Sequence, residues 1–483
     1  MTSSTPAPAA VEPLPGRARW ALASLSLAML MPSLDTSIAN AGLPVLSEAL
    51  KASFQQVQWI VLAYLLAVTT LIASVGRLGD LLGRRRLLLA GIAWFSVASL
   101  GCGLAPSLGW LLAARALQGV GAALMLALSI ALVADSVPKA RTGSAMGLLG
   151  TLSALGTSFG PSLGGWLISS LGWRSIFLVN LPLGLLALVL AWRSLPADAR
   201  RVGSGRLAFD YPGTLLLALG LGAYALALTL GQGLLAPLNL GLLGLAGLAG
   251  GLLVWVERRV PAPLFQPALL RQRQLGACLA MTLLVSTVIM STLVVGPFYL
   301  SRSLGLDLQT VGLCLSVGPL VATLGGWPAG RLVDRLGARR MSRGGLLGML
   351  LGLLALALLP ASLGLAGYLA PLALVTAGYA LFQAANNSLV MLDVAPQQRG
   401  LSAGLLSLSR NLGLISGTAA MGALFAWISS ASGITRAPPE AVGAAMRGTY
   451  GLAALLIALA LILAFSDRLS ASGERPCELP RPG

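Results

Sequence analysis

The segment Gly76–Arg86 reads GRLGDLLGRRR, and it returns in the second half of the chain as Gly330–Arg340, GRLVDRLGARR. Gly, Arg, Leu, Asp, Leu, Gly and the two closing Arg occupy the same places in both copies. Each copy follows the second apolar run of a group of six such runs. A repeat at the same place in two groups predicts two halves that are built alike and run in the same sense.

The composition around this repeat is that of a membrane protein. The chain has 483 residues, of which 56% are hydrophobic and 10% are charged, whereas soluble proteins average about 25% charged residues. Apolar runs of about 20 residues, long enough to cross a bilayer, predict an all-α polytopic membrane protein. The fourteen candidate spans lie near residues 20–41, 57–76, 87–105, 110–134, 143–170, 176–195, 212–231, 237–256, 275–300, 309–330, 344–365, 368–392, 401–428 and 448–466.

The runs and the polar segments between them define the domain organisation. Residues 1–19, rich in Pro, Ala and Ser, are predicted to form a disordered cytoplasmic tail. Residues 20–196 and 275–466 form the two six-helix halves. Residues 197–274 form a linker with two extra transmembrane helices, which leave the sense of the second half unchanged. Residues 467–483 form a second cytoplasmic tail.

The distribution of positive charge predicts the orientation. Each loop is numbered by the apolar run that it follows. The N-terminus, the even-numbered loops and the C-terminus hold 25 of the 32 Lys and Arg residues. The odd-numbered loops hold five: Lys51, Arg174, Arg302, Arg436 and Arg447. Because positive residues stay on the cytoplasmic side, both termini are expected in the cytoplasm. The expected location is the bacterial cell (inner) membrane. This pattern explains the net charge of +17 without a nucleic-acid partner.

Several chemistries are disfavoured by what the sequence lacks. There is no histidine, and none of the four cysteines lies in a CxxC pattern, so a zinc site or disulfide framework is not indicated. No Walker A sequence is present, which disfavours an ATP-driven pump. We expect no metal and no nucleotide or prosthetic cofactor, and no enzyme activity, because no catalytic constellation is visible.

Asp35 is the first candidate functional residue. A carboxylate within a span costs about 2.5–3.5 kcal/mol on insertion scales, so it is retained only where it faces protein or a watery cavity. There it can change protonation as access alternates, which is what a proton carrier requires. The alternative is a carboxylate that caps a helix broken near Pro32 or Pro44.

Arg115, inside the fourth run, is the second candidate. Arginine stays charged, so it cannot carry the proton, but it can tune a neighbouring carboxylate. The alternative is an arginine whose side chain reaches the membrane edge.

The repeated segment is a candidate conformational lock. Its glycines permit close helix approach and a tight turn, and its acid and arginines can form a charge network that holds two helices together. The alternative is plain anchoring by positive charge. The candidate lock residues are Gly76, Asp80, Gly83, Arg84, Arg85, Asp334, Arg339 and Arg340.

Two further groups of residues stand out within the spans. Gly156, Gly160, Pro161, Gly164 and Gly165 place a smooth strip and a proline on one helix, which allows close packing. Polar and aromatic side chains in other spans are candidates for lining a central cavity, with helix–helix hydrogen bonding as an equal alternative. They are Asn40, Gln58, Gln118, Tyr299, Phe382, Gln383, Asn386, Asn387, Arg410 and Asn411.

These motifs resemble those of a known family. The segment Gly76–Arg86 resembles the signature loop between spans two and three of the major facilitator superfamily. Leu34–Pro44, LDTSIANAGLP, resembles the first-span motif of its fourteen-span drug/proton antiporters, the EmrB/QacA type. Arg115–Gly121 resembles the fourth-span motif tied to proton coupling, and Gly156–Gly165 the fifth-span motif of antiporters. Asn180–Pro182 fits the start of the sixth span in that group.

The resemblance implies a fold and a function. It implies the major facilitator fold, with two six-helix halves that rock around a midplane cavity, and Arg115 as the residue that tunes Asp35. It also implies that the fifth span packs at the moving interface between the halves. The expected activity is proton-driven export of small amphipathic or lipophilic compounds, with substrate, protons and lipid as partners. Some members work with a periplasmic adaptor, but no docking element for one is visible.

Other functions remain open at this point. The substrate could be an endogenous metabolite, such as an antibiotic made by the cell, a sugar or an amino acid. A different class would be a membrane enzyme or a non-transporting scaffold or receptor. Asp35 is the only acid well inside a run, which predicts one principal coupling carboxylate and disfavours divalent cations as substrates.

Overall fold

The computed structural model describes residues 16–137, 142–198, 210–230, 236–259, 272–359, 363–392, 399–429 and 438–466. The predicted all-α architecture is confirmed, since the elements of these ranges are helices. The N-terminal half contains α1 (Gly16–Ala49), α2 (Phe54–Leu82), α3 (Arg84–Gly103), α4 (Leu108–Ser136), α5 (Thr142–Leu171), α6 (Ser175–Leu178) and α7 (Asn180–Ser194). The inserted pair is α8 (Tyr211–Thr229) and α9 (Pro237–Glu257).

The C-terminal half repeats this order with two local irregularities. Its helices are α10 (Arg273–Phe298), α11 (Leu308–Leu336), α12 (Ala338–Leu358), α13 (Gly364–Leu392), α14 (Arg399–Ser416), α15 (Gly422–Ser429) and α16 (Pro439–Ser466). A π-helical turn, Tyr299–Ser303, extends α10, and another, Gly417–Met421, joins α14 to α15. In both cases the helical path continues, so each predicted span remains one crossing.

Helix α5 differs from the other long helices of the described ranges in lacking a strongly apolar stretch. Within the described ranges, 13 helical segments are long and apolar enough to cross a membrane, and α5 is not one of them. More than half of its 30 residues are Gly, Ser or Thr, which lowers its hydropathy. It packs between α1 and α11, where small residues allow close contact, and the fourteenth span that the sequence predicts stays a prediction.

Several helices extend beyond their apolar runs. The first helix begins at Gly16, so residues 16–19 form a helical turn and not the disordered tail that the sequence predicts. Arginine and alanine are good helix formers, and the helix continues past the apolar region. Residues 1–15 and the second tail, 467–483, lie outside the described ranges.

The connections define two ends of the bundle. The far end holds the connections at 50–53, 104–107 and 304–307, and the near end holds those at Gly83 and Gly337. Each near-end turn is a single glycine with positive φ, 96° at Gly83 and 87° at Gly337. Residues with a Cβ rarely adopt this conformation, which explains the glycine in both copies of the repeat.

Side-chain caps fix the starts of the helices at the far end. Ser53 and Gln56 form a capping box at α2. Asp307 begins α11 by accepting hydrogen bonds from the backbone of Gln309 and Thr310 and from the Thr310 hydroxyl. These hydrogen bonds, foremost that of the Thr310 hydroxyl, hold the pKa of Asp307 below its usual value. The carboxylate is thus ionised at neutral pH, next to the positive end of the helix dipole.

The inserted pair joins the bundle through α8. The Trp59 indole N–H donates to the Thr229 hydroxyl at 3.0 Å, which ties α8 to α2. The Tyr224 hydroxyl lies 2.9 Å from the Ser416 hydroxyl, which ties α8 to α14. Helix α9 packs on α8. The pair therefore contacts both halves along one flank.

Candidate proton-coupling site

Asp35 lies in the middle of a continuous helix. Helix α1 runs from Gly16 to Ala49 through both Pro32 and Pro44. Only 1% of Asp35 is exposed, and its side chain contacts other helices. The alternative of a carboxylate that caps a broken helix is therefore excluded.

Three side chains donate hydrogen bonds to the Asp35 carboxylate. Arg115 Nη1 of α4 donates to Oδ2 and forms an ion pair with it. Gln118 Nε2, one turn further along α4, donates to Oδ1 at 2.9 Å. Asn180 Nδ2, the first residue of α7, donates to the same oxygen at 2.7 Å. The carboxylate thus joins three helices of the N-terminal half.

Arg115 is fixed from several sides. It is 0% exposed, so it does not reach the membrane edge as the alternative required. Its Nε donates to the Ile60 carbonyl of α2 at 2.9 Å. The guanidinium lies over the rings of Tyr64 and Phe177, 4.4 and 5.7 Å from their centroids. These contacts hold the cation in place beside Asp35.

Gln118, a candidate for lining the cavity, instead belongs to the hydrogen-bond network around Asp35. Its Oε1 accepts a hydrogen bond from Arg115 Nη1 at 2.6 Å, and its Nε2 also donates to the Ser99 hydroxyl at 2.7 Å. The Cys102 thiol approaches Oε1 at 3.7 Å. The amide therefore has partners at both ends and connects Asp35 to α3.

The Asp35–Arg115 ion pair lies in the interior of the N-terminal half. A buried ion pair contributes little net stability, but the removal of one partner costs about 3–5 kcal/mol because a buried charge is left alone. A proton added to Asp35 is the chemical equivalent of removing the negative partner. Protonation therefore changes how strongly α1 is held to α4.

The glycines of α5 bring this site close to a neighbouring helix. A Cβ at Gly156 would lie 2.7 Å from the Leu30 carbonyl, and one at Gly160 would lie 2.5 Å from the Ser37 Cβ. Gly164 faces Ile38 in the same way. The predicted strip therefore packs against α1, the helix that carries Asp35.

The opposite face of α5 contacts the C-terminal half. A Cβ at Gly165 would lie 2.8 Å from the Leu308 carbonyl, and the Pro161 carbonyl approaches Gly312 of α11. Hydroxyl pairs connect Ser162 to Ser316 at 2.6 Å and Ser158 to Thr323 at 2.9 Å. As the resemblance implied, α5 lies at the interface between halves, between Asp35 and α11.

Further contacts between the halves lie toward the far end. Gln58 Nε2 donates to the Thr418 carbonyl at 2.8 Å. The Phe54 ring lies 4.8 Å from that of Phe298 and 5.8 Å from that of Phe425. Additional pairs are Glu48–Arg302 and Ser169–Gln309. The two halves are thus joined from the middle of the bundle to its far end.

At the near end, the first copy of the repeated segment is held by a residue that we had not singled out. The Asp198 carboxylate, four residues after α7, accepts hydrogen bonds from the backbone N–H groups of Arg85 at 2.8 Å and Arg86 at 3.2 Å. A Cβ at Gly83 would lie 2.5 Å from this carboxylate. Asp198 thus caps α3 and ties it to the end of α7.

The other lock candidates of the first copy lie around this cap. Arg84 begins α3 and Arg85 follows it, both half-buried. Gly76 lies within α2 with no atom within 4 Å of a Cβ placed there, so it makes no close helix approach in this conformation, and the turn depends on Gly83 alone. The Asp80 side chain lies outside the described part of the structure.

The second copy of the segment is more open. Asp334 and Arg340 are exposed, and Arg339 donates to the Gln274 side chain of α10 at 3.1 Å. A Cβ at Gly337 would meet nothing within 4 Å, and α12 has no side-chain cap. The two copies thus share a backbone turn but differ in their contacts.

The cavity candidates divide by burial. Buried side chains are packed between helices and do not face an open cavity in this conformation, so helix–helix contact describes them better: Asn40, Gln58, Gln118, Tyr299, Phe382 and Asn386. The remaining candidates are partly or fully exposed and stay candidates: Gln383, Asn387, Arg410 and Asn411.

The sequence reasoning missed two residues of the site. Asn180 was noted only for its motif, although a polar amide at the start of an apolar run is expensive in the way that flagged Asn386. Asp198 lies in a polar linker, where an acid carries no such signal. No group of three or more Cys, Asp or Glu that could hold a metal occurs in the described part of the chain.

Comparison with known proteins finds a family that matches most of the chain. Residues 25–418 match the family described as Major Facilitator Superfamily. The multidrug resistance protein Stp of Mycobacterium tuberculosis is 33% identical over 439 residues, which are 87% of this chain and 79% of that protein. The riboflavin transporter RibZ of Clostridioides difficile is 30% identical over 452 residues, 92% of this chain and 96% of that protein.

The fold also matches a solved transporter. A bacterial homologue of the human lysosomal transporter Spinster, in an inward-facing and occupied conformation, aligns with a TM-score of 0.70 and 16% sequence identity. The alignment covers 96% of this chain and 100% of that one. At this identity the likeness concerns the fold alone.

Proposed function

The chain belongs to the major facilitator superfamily and is a multi-pass membrane transporter rather than an enzyme; on this basis we propose that it is a proton-coupled antiporter of the fourteen-span drug/proton group. It exports small amphipathic or lipophilic compounds across a bacterial inner membrane. Both termini lie in the cytoplasm.

The Asp35 site is the observation that carries this proposal. A carboxylate, a guanidinium and two amides are buried together inside the N-terminal half. Such a cluster is expensive in a membrane protein and is retained where it has a task. Proton exchange is the simplest task for an acid that is buried beside a fixed cation.

The position of α5 suggests how protonation reaches the rest of the molecule. Its glycines contact α1 on one side, and Pro161 and Gly165 contact α11 of the other half. Protonation of Asp35 weakens its bond to Arg115 and frees α1 to shift. Since α5 leaves no space between α1 and α11, a shift of α1 changes the packing of the two halves.

Contacts between the halves at the far end support the proposed orientation of the conformational cycle. The far end is joined by Gln58–Thr418, by the Phe54 rings and by Glu48–Arg302. With the termini inside, as we propose, the far end faces outward, and it is the end at which these contacts join the two halves. The cap of Asp198 on α3 and its open counterpart at Gly337 act as near-end elements of the lock.

The relatives and the charges suggest the substrate class. One relative is named for multidrug resistance. The acid in the middle of α1, Asp35, is already paired with Arg115, which favours neutral or singly charged substrates over divalent cations. A second candidate function is transport of an endogenous metabolite, favoured by the relative that is named a riboflavin transporter.

Transport by proteoliposomes tests the proposal. We expect the purified protein to move ethidium, a lipophilic cation, against its gradient when a pH gradient is imposed, and to stop when a protonophore is added. The variant Asp35→Asn is expected to bind ethidium without pumping it. Riboflavin in place of ethidium tests the second candidate. Uptake that survives the protonophore, or pumping by Asp35→Asn, would refute proton coupling at this residue.

A further inference from the structure

The side-chain amide of Asn180 has one partner and one unpaired group. Its Nδ2 donates to Asp35 Oδ1 at 2.7 Å. Its Oδ1 has no hydrogen-bond partner although the residue is 0% exposed. Buried polar atoms in proteins are nearly always hydrogen-bonded, so an unpaired amide oxygen beside the Asp35 carboxylate suggests a second arrangement of the same amide.

Gln118, the other amide on the same carboxylate oxygen, lacks this freedom. Its Oε1 accepts from Arg115 Nη1, and its Nε2 donates both to Asp35 and to the Ser99 hydroxyl. Turning it over would place donor against donor at Arg115. Asn180 has no such second partner, and its terminal torsion joins an sp³ and an sp² carbon, which allows broad rotation.

The protonated form of Asp35 needs an acceptor that the present arrangement does not offer. An ionised carboxylate only accepts, whereas a protonated carboxyl has an O–H to donate. Both amides direct N–H groups at Oδ1, so a proton on that oxygen would face two donors. Rotation of the Asn180 amide by half a turn places its oxygen where Nδ2 now lies.

We propose that Asn180 is a protonation-responsive partner of Asp35, whose amide donates to the carboxylate and turns over to accept from the protonated carboxyl. A hydronium ion gives a proton to Oδ1 of Asp35: one O–H bond of the hydronium breaks, leaving water, one O–H bond of the carboxyl forms, and no other covalent bond changes. The hydrogen bond from Asn180 Nδ2 to the carboxylate is replaced by one from the carboxyl O–H to Asn180 Oδ1. The Asn180 amide therefore has one paired and one unpaired group both before and after the change. The inference rests on the proposed proton exchange at Asp35.

The surroundings leave Asp35 as the group that takes the proton. In the described residues, the ionisable side chains that face it are Arg115 of α4, Tyr64 of α2 and Cys102 of α3. Arginine stays charged, and tyrosine and cysteine are ordinarily neutral at neutral pH. Helix α5 faces α1 with glycines and hydroxyls, and α7 supplies Asn180 itself.

Infrared difference spectroscopy of the full-length protein in lipid nanodiscs, titrated with acid, tests this directly. The band lost in Asp35→Asn identifies the carboxyl C=O, and the band lost in Asn180→Leu identifies the Asn180 amide C=O. We expect the amide band to move to lower frequency in step with protonation of Asp35, because its oxygen gains a hydrogen bond. An amide band that stays constant while Asp35 protonates would overturn the inference.

A matched pair of variants gives an independent measurement. Gln118→Leu removes a donor to the ionised carboxylate and also an acceptor that helps to hold Arg115 beside it, so the midpoint of the Asp35 titration is expected to rise by about 1–2 pH units. Asn180→Leu removes one hydrogen bond from the ionised form of Asp35 and one from the protonated form. The midpoint of the Asp35 titration is therefore expected to shift by less than about 0.5 pH unit. Equal rises in both variants would mean that Asn180 is a plain donor. If the leucine variant does not fold, Asn180→Ser takes its place, because a hydroxyl both donates and accepts. This variant is expected to keep the wild-type midpoint. A rise like that of Gln118→Leu would again mean that Asn180 only donates.

The outcomes separate this inference from the proposed function. If Asp35 does not titrate in the wild-type protein, proton exchange at this residue fails, and the role of Asn180 fails with it. If Asp35 titrates while the Asn180 band is silent, only the role of Asn180 fails.

Discussion

The first and fourth helices of the two halves meet through different chemistry. In the N-terminal half, Asp35 of α1 and Arg115 of α4 form a buried ion pair. In the C-terminal half, Asn386 of α13 donates to the Thr282 hydroxyl of α10 at 2.8 Å and to the Cys278 carbonyl at 3.3 Å. An ion pair responds to a proton and a neutral amide does not, which is why our proposal puts proton sensitivity in the N-terminal half.

A second difference lies at the near end. The turns at Gly83 and Gly337 have similar φ angles, but only the first is followed by a helix whose N-terminus is capped, by Asp198. The near end of the N-terminal half is thus tied to α7, whereas α12 lacks a side-chain cap. The same repeat is therefore followed by a capped helix in one half and by a helix without a side-chain cap in the other.

The largest expected effect is at Asp35. Asp35→Asn leaves Arg115 as an unpaired buried charge, so the free energy of unfolding is expected to fall by about 3–5 kcal/mol. The double variant Asp35→Asn/Arg115→Gln removes both charges and is expected to regain most of that stability, measured by thermal unfolding, without regaining proton-driven transport. Proton-driven transport by the double variant would contradict the proposal that proton sensitivity lies in the N-terminal half.

The cap on α3 is expected to have the next largest effect. Asp198→Ala removes the acceptor for two backbone N–H groups, and loss of such a cap costs about 0.5–2 kcal/mol. Asp334→Ala, at the exposed acid of the second copy, is the matched control and is expected to change stability by less than about 0.5 kcal/mol. Denaturant unfolding of the two variants compares them, and equal losses would mean that the near ends do not differ.

The crossing in the C-terminal half should be structural. Asn386→Leu removes hydrogen bonds to Thr282 and Cys278, so we expect a loss of about 1 kcal/mol in stability. The pH dependence of transport by proteoliposomes is expected to stay that of the wild type. A shifted pH profile in this variant would place a share of the proton coupling in the C-terminal half.

The smallest effect is expected at the exposed ion pair of the far end. Glu48 and Arg302 join the two halves with 58% and 33% of their side chains exposed, and exposed pairs contribute about 0–1 kcal/mol. Glu48→Gln should therefore change the accessibility of a cysteine placed at the far end by less than about five-fold, and less still in high salt. A large, salt-independent change would show that this pair holds the halves together.

The sequence predicts the parts of the site that break the rules of a lipid environment. Asp35 and Arg115 stand out because charges within apolar runs are expensive, and the repeat predicts the two halves because its copies survive in the sequence. The all-α fold follows from composition and run length. The exact helix ends do not, since hydropathy marks only the apolar part of a helix such as α1.

The remaining parts depend on tertiary contacts that local sequence does not encode. Asp198 lies more than a hundred residues from the N–H groups of Arg85 and Arg86 that it accepts from. Gln118 is predicted as a cavity residue, but packing against Ser99 and Arg115 gives it a place in the charge cluster. Helix α5 has a low hydropathy because its small residues serve contact with two helices.

The most direct test of the account is the release of protons when substrate binds. Purified wild-type protein in weakly buffered detergent, with Asp35 protonated at the chosen pH, is mixed with ethidium while a pH indicator reports the solution. The account predicts release of up to one proton per protein by the wild type and none by Asp35→Asn, with ethidium binding verified in both by fluorescence. Equal proton release by the two proteins would contradict the central claim that Asp35 is the coupling group.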